Sequence, residues 1–113
     1  MHELSLCETI LSILEECAQQ EHFSQVTGVH LLLGDLSCVE ADALRFCFDA
    51  IKPDTLAQQA TLIIEQVPGR ARCKSCGQDV VIQSYIDNCS YCQSADLDIV
   101  AGDQMQIKFL EVC

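Results

Sequence analysis

Basic residues are scarce in this chain: six Lys and Arg stand against seventeen Asp and Glu, for a formal net charge of −11. A phosphate backbone repels such a surface, which argues against nucleic acid as a partner. Long apolar runs are missing as well, although half of the residues are apolar. No stretch approaches the ~20 residues that a membrane span needs, so no membrane role is expected. Glu3 and Glu8 stand where a secretory signal carries its basic n-region, and no signal peptide is expected. Repeats and low-complexity stretches are absent. So are a phosphate-cradling Gly loop and any nucleophile–base–orienter set, which leaves no basis for catalytic turnover. At 113 residues the chain is one compact domain or two very small ones, with a core of modest size.

What is plentiful is cysteine. Nine cysteines without a secretory signal point to a reducing, cytoplasmic setting where thiols bind metal or lie buried, and the odd count argues against a pure disulfide framework. Four of them fall as Cys73-Lys-Ser-Cys76 and Cys89-Ser-Tyr-Cys92, twelve residues apart. Each Cys-x-x-Cys places two sulfurs on one tight turn, and a hairpin between two such turns gathers four thiolates into a tetrahedron. Zn²⁺ suits that site, with Zn–S bonds of ~2.3 Å and no position left open for water, so the zinc is expected to be structural. Gly77 follows Cys76, where such a turn wants φ > 0. The bland alternatives are two disulfides or chance thiols. A thiol oxidoreductase would carry one such motif at a helix start beside a βαβ unit. Arg70, Arg72 and Lys74 flank the first pair and are expected to balance the anionic tetrathiolate.

Along the chain, apolar residues from Leu4 through Cys7, Ile10, Leu11, Leu14, Cys17 and Ala18 recur at helical spacing. Ser5 with Glu8 offers a capping box for that helix, whose entry could lie a residue or two earlier. Residues 26–33 alternate as a strand ended by Gly34-Asp35. Ser37 with Glu40 offers a second capping box, opening a helix to about Ile51 with Leu44, Phe46, Cys47, Phe48 and Ile51 as its apolar stripe. Residues 60–67 read as a strand that Pro68-Gly69 breaks, at a domain boundary. After Gly102-Asp103, residues 104–112 alternate again, with Met105, Ile107 and Phe109 on one face. That last strand needs a sheet and is expected to return to the first domain, which makes the cysteine module an insertion.

The start, Met1-His2-Glu3, holds a second candidate metal site. A free α-amine on Met1, a backbone nitrogen and the His2 imidazole can chelate one ion through fused small rings, and a near-planar nitrogen set suits Ni²⁺ or Cu²⁺ better than Zn²⁺. His22 and His30 match no motif and are read as non-ligands. Cys7, Cys17 and Cys47 fall on helix faces read as apolar, where free Cys packs as a small hydrophobe, and Cys38 is read as small, buried and inert.

Met1-His2-Glu3-Leu-Ser-Leu-Cys7, Gly34-Asp-Leu-Ser-Cys-Val-Glu40, Gly102-Asp103 and the double Cys-x-x-Cys together resemble the HypA/HybF family of hydrogenase nickel-incorporation chaperones. The resemblance implies an α+β fold, with two helices on a small mixed β-sheet as a nickel-binding domain (1–69 and 102–113) and an inserted zinc-ribbon-like module of four cysteines (70–101). It implies Ni²⁺ as cargo, held around His2 by side-chain and backbone nitrogens and helped by Glu3 and Glu40. Glu3 also reads as an ordinary first-turn acid or a partner-binding residue, and Glu40 as the N3 carboxylate of the Ser37 capping box. The implied partners are the maturation GTPase (HypB) and a [NiFe]-hydrogenase large subunit, with the chain a monomer or homodimer. The rival reading is a zinc-ribbon adaptor acting in transcription or translation without nickel.

Overall fold

A computed structural model describes residues 3–113, so Met1 and His2 lie outside the described residues. In chain order the elements are α1 (Glu3–Glu21), β1 (Val26–Gly34), a 3₁₀ turn (Asp35–Ser37), α2 (Ala41–Ile51), β2 (Thr61–Val67), β3 (Gly69–Cys73), β4 (Asp79–Ile82), β5 (Leu97–Ala101) and β6 (Met105–Val112). The strands form two small sheets, ordered β2-β1-β6 and β4-β3-β5, and the fold is α+β as expected. Among the described residues no helix is long and apolar enough to cross a membrane.

The chain divides into two compact units. One holds the chain up to Leu31 with Val39–Glu65 and Ile107–Cys113; the other holds Leu32–Cys38 and Gln66–Gln106. The division expected from the sequence, 70–101 against the rest, differs in that the second unit also takes 32–38, 66–69 and 102–106. The reason is Leu36. It is buried in one cluster with Ala71, Cys73, Val80, Ile82 and Cys89, so its segment belongs with the cysteines.

In the first unit, α1 buries Leu6, Cys7, Ile10 and Leu14, a spacing that sets them on one helical face. The Cys7 thiol donates to the Leu44 carbonyl of α2 at 3.4 Å. The helix stops where His22 takes the left-handed conformation (φ 60) and its N–H bonds to Ala18 O at 2.9 Å. On β1, Val29 and Leu31 are buried while His30 between them is half-exposed, as the alternation predicted.

Three expectations need correction here. Neither capping box forms. Helix α1 is already running at Glu3, so Ser5 lies inside it and its carbonyl accepts from Thr9 Oγ1. Ser37 sits in the 3₁₀ turn with its hydroxyl on Gly34 O at 2.6 Å, and Glu40 is itself the N-cap of α2, with no side-chain cap bond. Phe46 is not in the buried stripe: at 100° per residue it lies about 200° from Leu44, and it is 75% exposed. Cys38 is exposed rather than buried, at φ 62.

The second unit is built on β3, which pairs antiparallel with β4 on one side and β5 on the other, with a register shift between Arg70 and Ala71. Behind it the chain crosses itself closely. The N–H groups of Gly34 and Leu36 bond to Gln104 O and Gly102 O at 2.9 and 2.8 Å. Gly102 stands at φ 85, and a Cβ there would run into the backbone of Pro68 and Gly69.

Candidate metal centre

Two turns of the same design carry the four cysteines. In the first, Gly77 N–H bonds to Cys73 O at 2.8 Å and Cys73 N–H to Gln78 O at 2.9 Å. In the second, Gln93 N–H bonds to Cys89 O at 2.9 Å and Cys89 N–H to Ser94 O at 2.8 Å. The residue after each second cysteine turns left-handed, Gly77 at φ 77 and Gln93 at φ 67. Glycine marked the first of these in the sequence; nothing marked the second. Ser75 Oγ and Ser94 Oγ, 2.9 Å apart, tie the turns together, as does Lys74 N–H on Asp96 O at 2.9 Å.

The four sulfurs lie within 4.8 Å of one another. Between the turns, Cys73 Sγ is 3.5 Å from Cys92 Sγ and Cys76 Sγ is 3.7 Å from Cys89 Sγ. A tetrahedron with Zn–S bonds of ~2.3 Å has edges of ~3.8 Å. A disulfide requires ~2.05 Å, far shorter than either separation, and all nine cysteines are free thiols. The arrangement fits structural zinc. The first cysteine of each pair is buried, Cys73 at 1% and Cys89 at 0% exposure, while Cys76 and Cys92 are exposed.

Backbone amides prepare the buried pair for ionisation. Cys73 is lowered to about 6, first by the Cys76 N–H and against desolvation, with Ser75 and the neighbouring sulfurs helping. Cys89 is lowered by the Cys92 N–H, again against desolvation. Cys92 is pushed up to about 12: the Ser94 N–H favours its thiolate, but sharing a proton with Cys73, burial and the other sulfurs outweigh that. Cys76 is raised by the same balance, its Gln78 N–H outweighed by desolvation and by Cys73 and Cys89. The backbone thus favours the thiolate form, the form that binds metal, most at the buried sulfurs.

The nearby cations do less than expected. Lys74 Nζ is 3.3 Å from Asp98 and 3.7 Å from Asp96, so its charge is taken by carboxylates. Arg70 and Arg72 alternate along β3 with the buried Ala71 and Cys73, and so face away from the sulfurs. The amides replace them.

Of the expected nickel ligands, Met1 and His2 lie outside the described residues. Glu3 opens α1, half-buried, and helps burial and Cys47 push the Cys7 thiol up to about 11. Glu40 is exposed at the start of α2, and its carbonyl takes the Leu44 N–H at 2.9 Å. Among the described residues, the four cysteines are the group of metal-capable side chains that converge. His30 has a different role from any read in the sequence: its Nε2 lies 2.6 Å from Glu111 Oε1 and its ring stacks on Phe109 at 3.9 Å. Both partners come from β6, the neighbouring strand, some eighty residues along the chain, and no local pattern around His30 signals them.

Comparison with known proteins adds the following. The model of the HypA family, described as hydrogenase/urease nickel incorporation, metallochaperone, matches residues 1–112. The chain is similar to the hydrogenase maturation factor HypA of Alkalilimnicola ehrlichii, 49% identical over 112 residues that make up 99% of each chain. It is likewise similar to that of Acidithiobacillus ferrooxidans, 47% identical over 112 residues and 99% of each chain. In fold it is similar to the solution structure of the Ni metallochaperone HypA from Helicobacter pylori, with a TM-score of 0.74 over 99% of this chain and 97% of that one, at 23% identity.

Proposed function

Because the chain belongs to the HypA family of hydrogenase/urease nickel-incorporation metallochaperones, we propose that it carries Ni²⁺ to a [NiFe]-hydrogenase during maturation, around a structural zinc. The observation that carries the reading is the four-sulfur cluster within 4.8 Å, in a chain whose residues 1–112 match that family. In this reading zinc is held by Cys73, Cys76, Cys89 and Cys92 and is not exchanged with the cargo. Nickel is held at the amino terminus by the Met1 α-amine, backbone nitrogen and the His2 imidazole, with Glu3 and Glu40 supplying carboxylate. Neutral nitrogen donors suit Ni²⁺, whereas a closed tetrathiolate suits Zn²⁺, so one chain keeps two metals apart by ligand chemistry. The protein works in the cytoplasm without catalytic turnover. It takes its place between the maturation GTPase (HypB) and the hydrogenase large subunit.

Elemental analysis after nickel exposure and desalting tests this. The parent protein should hold one zinc and one nickel per chain, and His2→Ala should keep the zinc and lose the nickel. Zinc alone in the parent would favour the adaptor reading. Nickel held as tightly by His2→Ala would move the site elsewhere.

A further inference from the structure

Helix α2 carries two apolar stripes, and the fold uses one of them. Leu44 and Phe48 are buried on the inner side. On the outer side Phe46 is 75% exposed, with Ala43 three residues before it and Ala50 four after. That i, i+3, i+7 spacing is the one by which an amphipathic helix lies in a partner's groove. Charged pairs edge the stripe: Arg45 with Asp42 at 3.2 Å and Lys52 with Asp49 at 2.9 Å.

A second exposed apolar side chain lies close by. Leu4, in the first turn of α1, is 47% exposed. The two helices touch where Cys7 Sγ meets Leu44 O. Leu4 is three residues before that contact and Phe46 two residues after it, rises of about 4.5 and 3 Å along the two helix axes. The two positions are therefore close enough for one partner, burying ~800 Å² on each side of a standard interface, to reach both. Leu4 also follows Met1-His2-Glu3 directly in the chain.

We infer that the Leu4–Phe46 surface is where the nickel-accepting protein docks, through an apolar cleft with a basic rim. The inference rests on the proposed nickel site at the amino terminus. An ion passes between proteins only when the acceptor's ligands reach bonding distance, so the acceptor must cover the residues next to the donor's ligands. Glu3 and Glu40 each stand four residues before the Cys7–Leu44 contact, a rise of about 6 Å on each helix, and Glu8 next to Cys7 is exposed, so carboxylates surround this contact and call for basic groups on the facing surface. The same acidity, on a chain of net charge −11, repels a second copy.

The probe is the nickel-free large-subunit precursor of a hydrogenase, offered to the full-length, zinc- and nickel-loaded protein. Phe46→Ser should weaken precursor binding at least tenfold and slow nickel transfer in proportion, while metal content and melting temperature stay those of the parent. Phe46→Leu should restore most of the affinity, and Ile86→Ser, at an 89% exposed position in the other unit, should change nothing. Unaltered binding by Phe46→Ser overturns the docking surface and leaves the delivery reading standing. Equal loss with Ile86→Ser also overturns it, as does loss of GTPase binding alone with the precursor still bound. A lowered melting temperature in Phe46→Ser overturns it too, by making Phe46 a packing residue. A parent protein that transfers no nickel to the precursor takes the delivery reading down, and the docking surface with it.

Discussion

Replacing Gly102 by alanine should harm the cysteine unit far more than replacing Gly77, although both stand in the left-handed region, at φ 85 and 77. An L-residue held there costs roughly 1–2 kcal/mol, and the lost freedom of the unfolded glycine returns about 0.4–1. At Gly77 nothing lies within 4 Å of the added carbon, so the backbone term stands alone. The expected loss is about 1 kcal/mol. At Gly102 the carbon overlaps Pro68 O and lies 2.6 Å from Gly69 Cα, and neither is the movable end of a side chain. Forcing atoms into packed space adds ~1–3 kcal/mol, for a total of about 2–4. In a module whose folding is coupled to its metal, that loss reads out directly as zinc affinity. At about 1.4 kcal/mol per decade, competition with a chromophoric chelator should show about a fivefold weakening for Gly77→Ala and between about thirty- and several-hundredfold for Gly102→Ala. If Gly102→Ala proves no worse than Gly77→Ala, the tight crossing of the Gly34, Pro68 and Gly102 segments is wrong.

Four other outcomes are expected. Cys92→Ala, or removal of zinc by a chelator, should disorder the unit around β3 while α1, α2 and β1 keep their structure; native-like amide dispersion for residues 69–101 after stripping would contradict this. Nickel affinity should fall as pH drops through ~8 to ~6, where the α-amine and imidazole take up protons, and an affinity flat across that range would exclude a nitrogen site. Cys7 is raised from 9.0 to about 11 by burial, by Cys47 and by Glu3. The folded state therefore holds that proton longer than the unfolded chain. Its contribution is complete below pH 9 and is lost as pH rises through about 11, so denaturant midpoints should decline across that window. At a pH of about 8, below the ordinary thiol range, a thiol reagent should modify the exposed Cys38 and spare Cys7 until the protein unfolds.

The parts of this fold legible in the sequence are those encoded by local spacing. The period of α1, the alternation around His30 and the double Cys-x-x-Cys each place their side chains by short-range geometry alone. Phe46 is apolar within an apolar stretch and so looks like part of the stripe, but its angle from Leu44, about 200°, sets it on the other side. The Ser37–Glu40 pair has the capping-box spacing, but the chain spends those residues on a 3₁₀ turn and a left-handed Cys38 before the helix begins. The allegiance of Leu36 to the cysteine unit is a contact across more than thirty residues, which no local pattern announces. The left-handed turn at Gln93 is hidden for a different reason: its hydrogen bond to Cys89 is local, but it holds a residue type that does not favour that conformation.

Each cysteine turn closes on its own hydrogen bonds, spanning four and five residues. The metal geometry is thus written into two short cassettes rather than into the distance between them. Of the twelve residues in that interval, Val80 and Ile82 are committed to the core. The segment after Ile82 is tied to itself: Gln83 N–H bonds to Asp87 Oδ2 at 2.8 Å and Ile86 N–H to Ser84 Oγ at 3.2 Å. Residues 83–88 form a detachable spacer. Two glycines inserted between Ser84 and Tyr85 should lengthen the hairpin and leave zinc affinity where it was, whereas one residue inserted inside either Cys-x-x-Cys should abolish it. By this logic residues 83–88 are where this chain should tolerate a change of length.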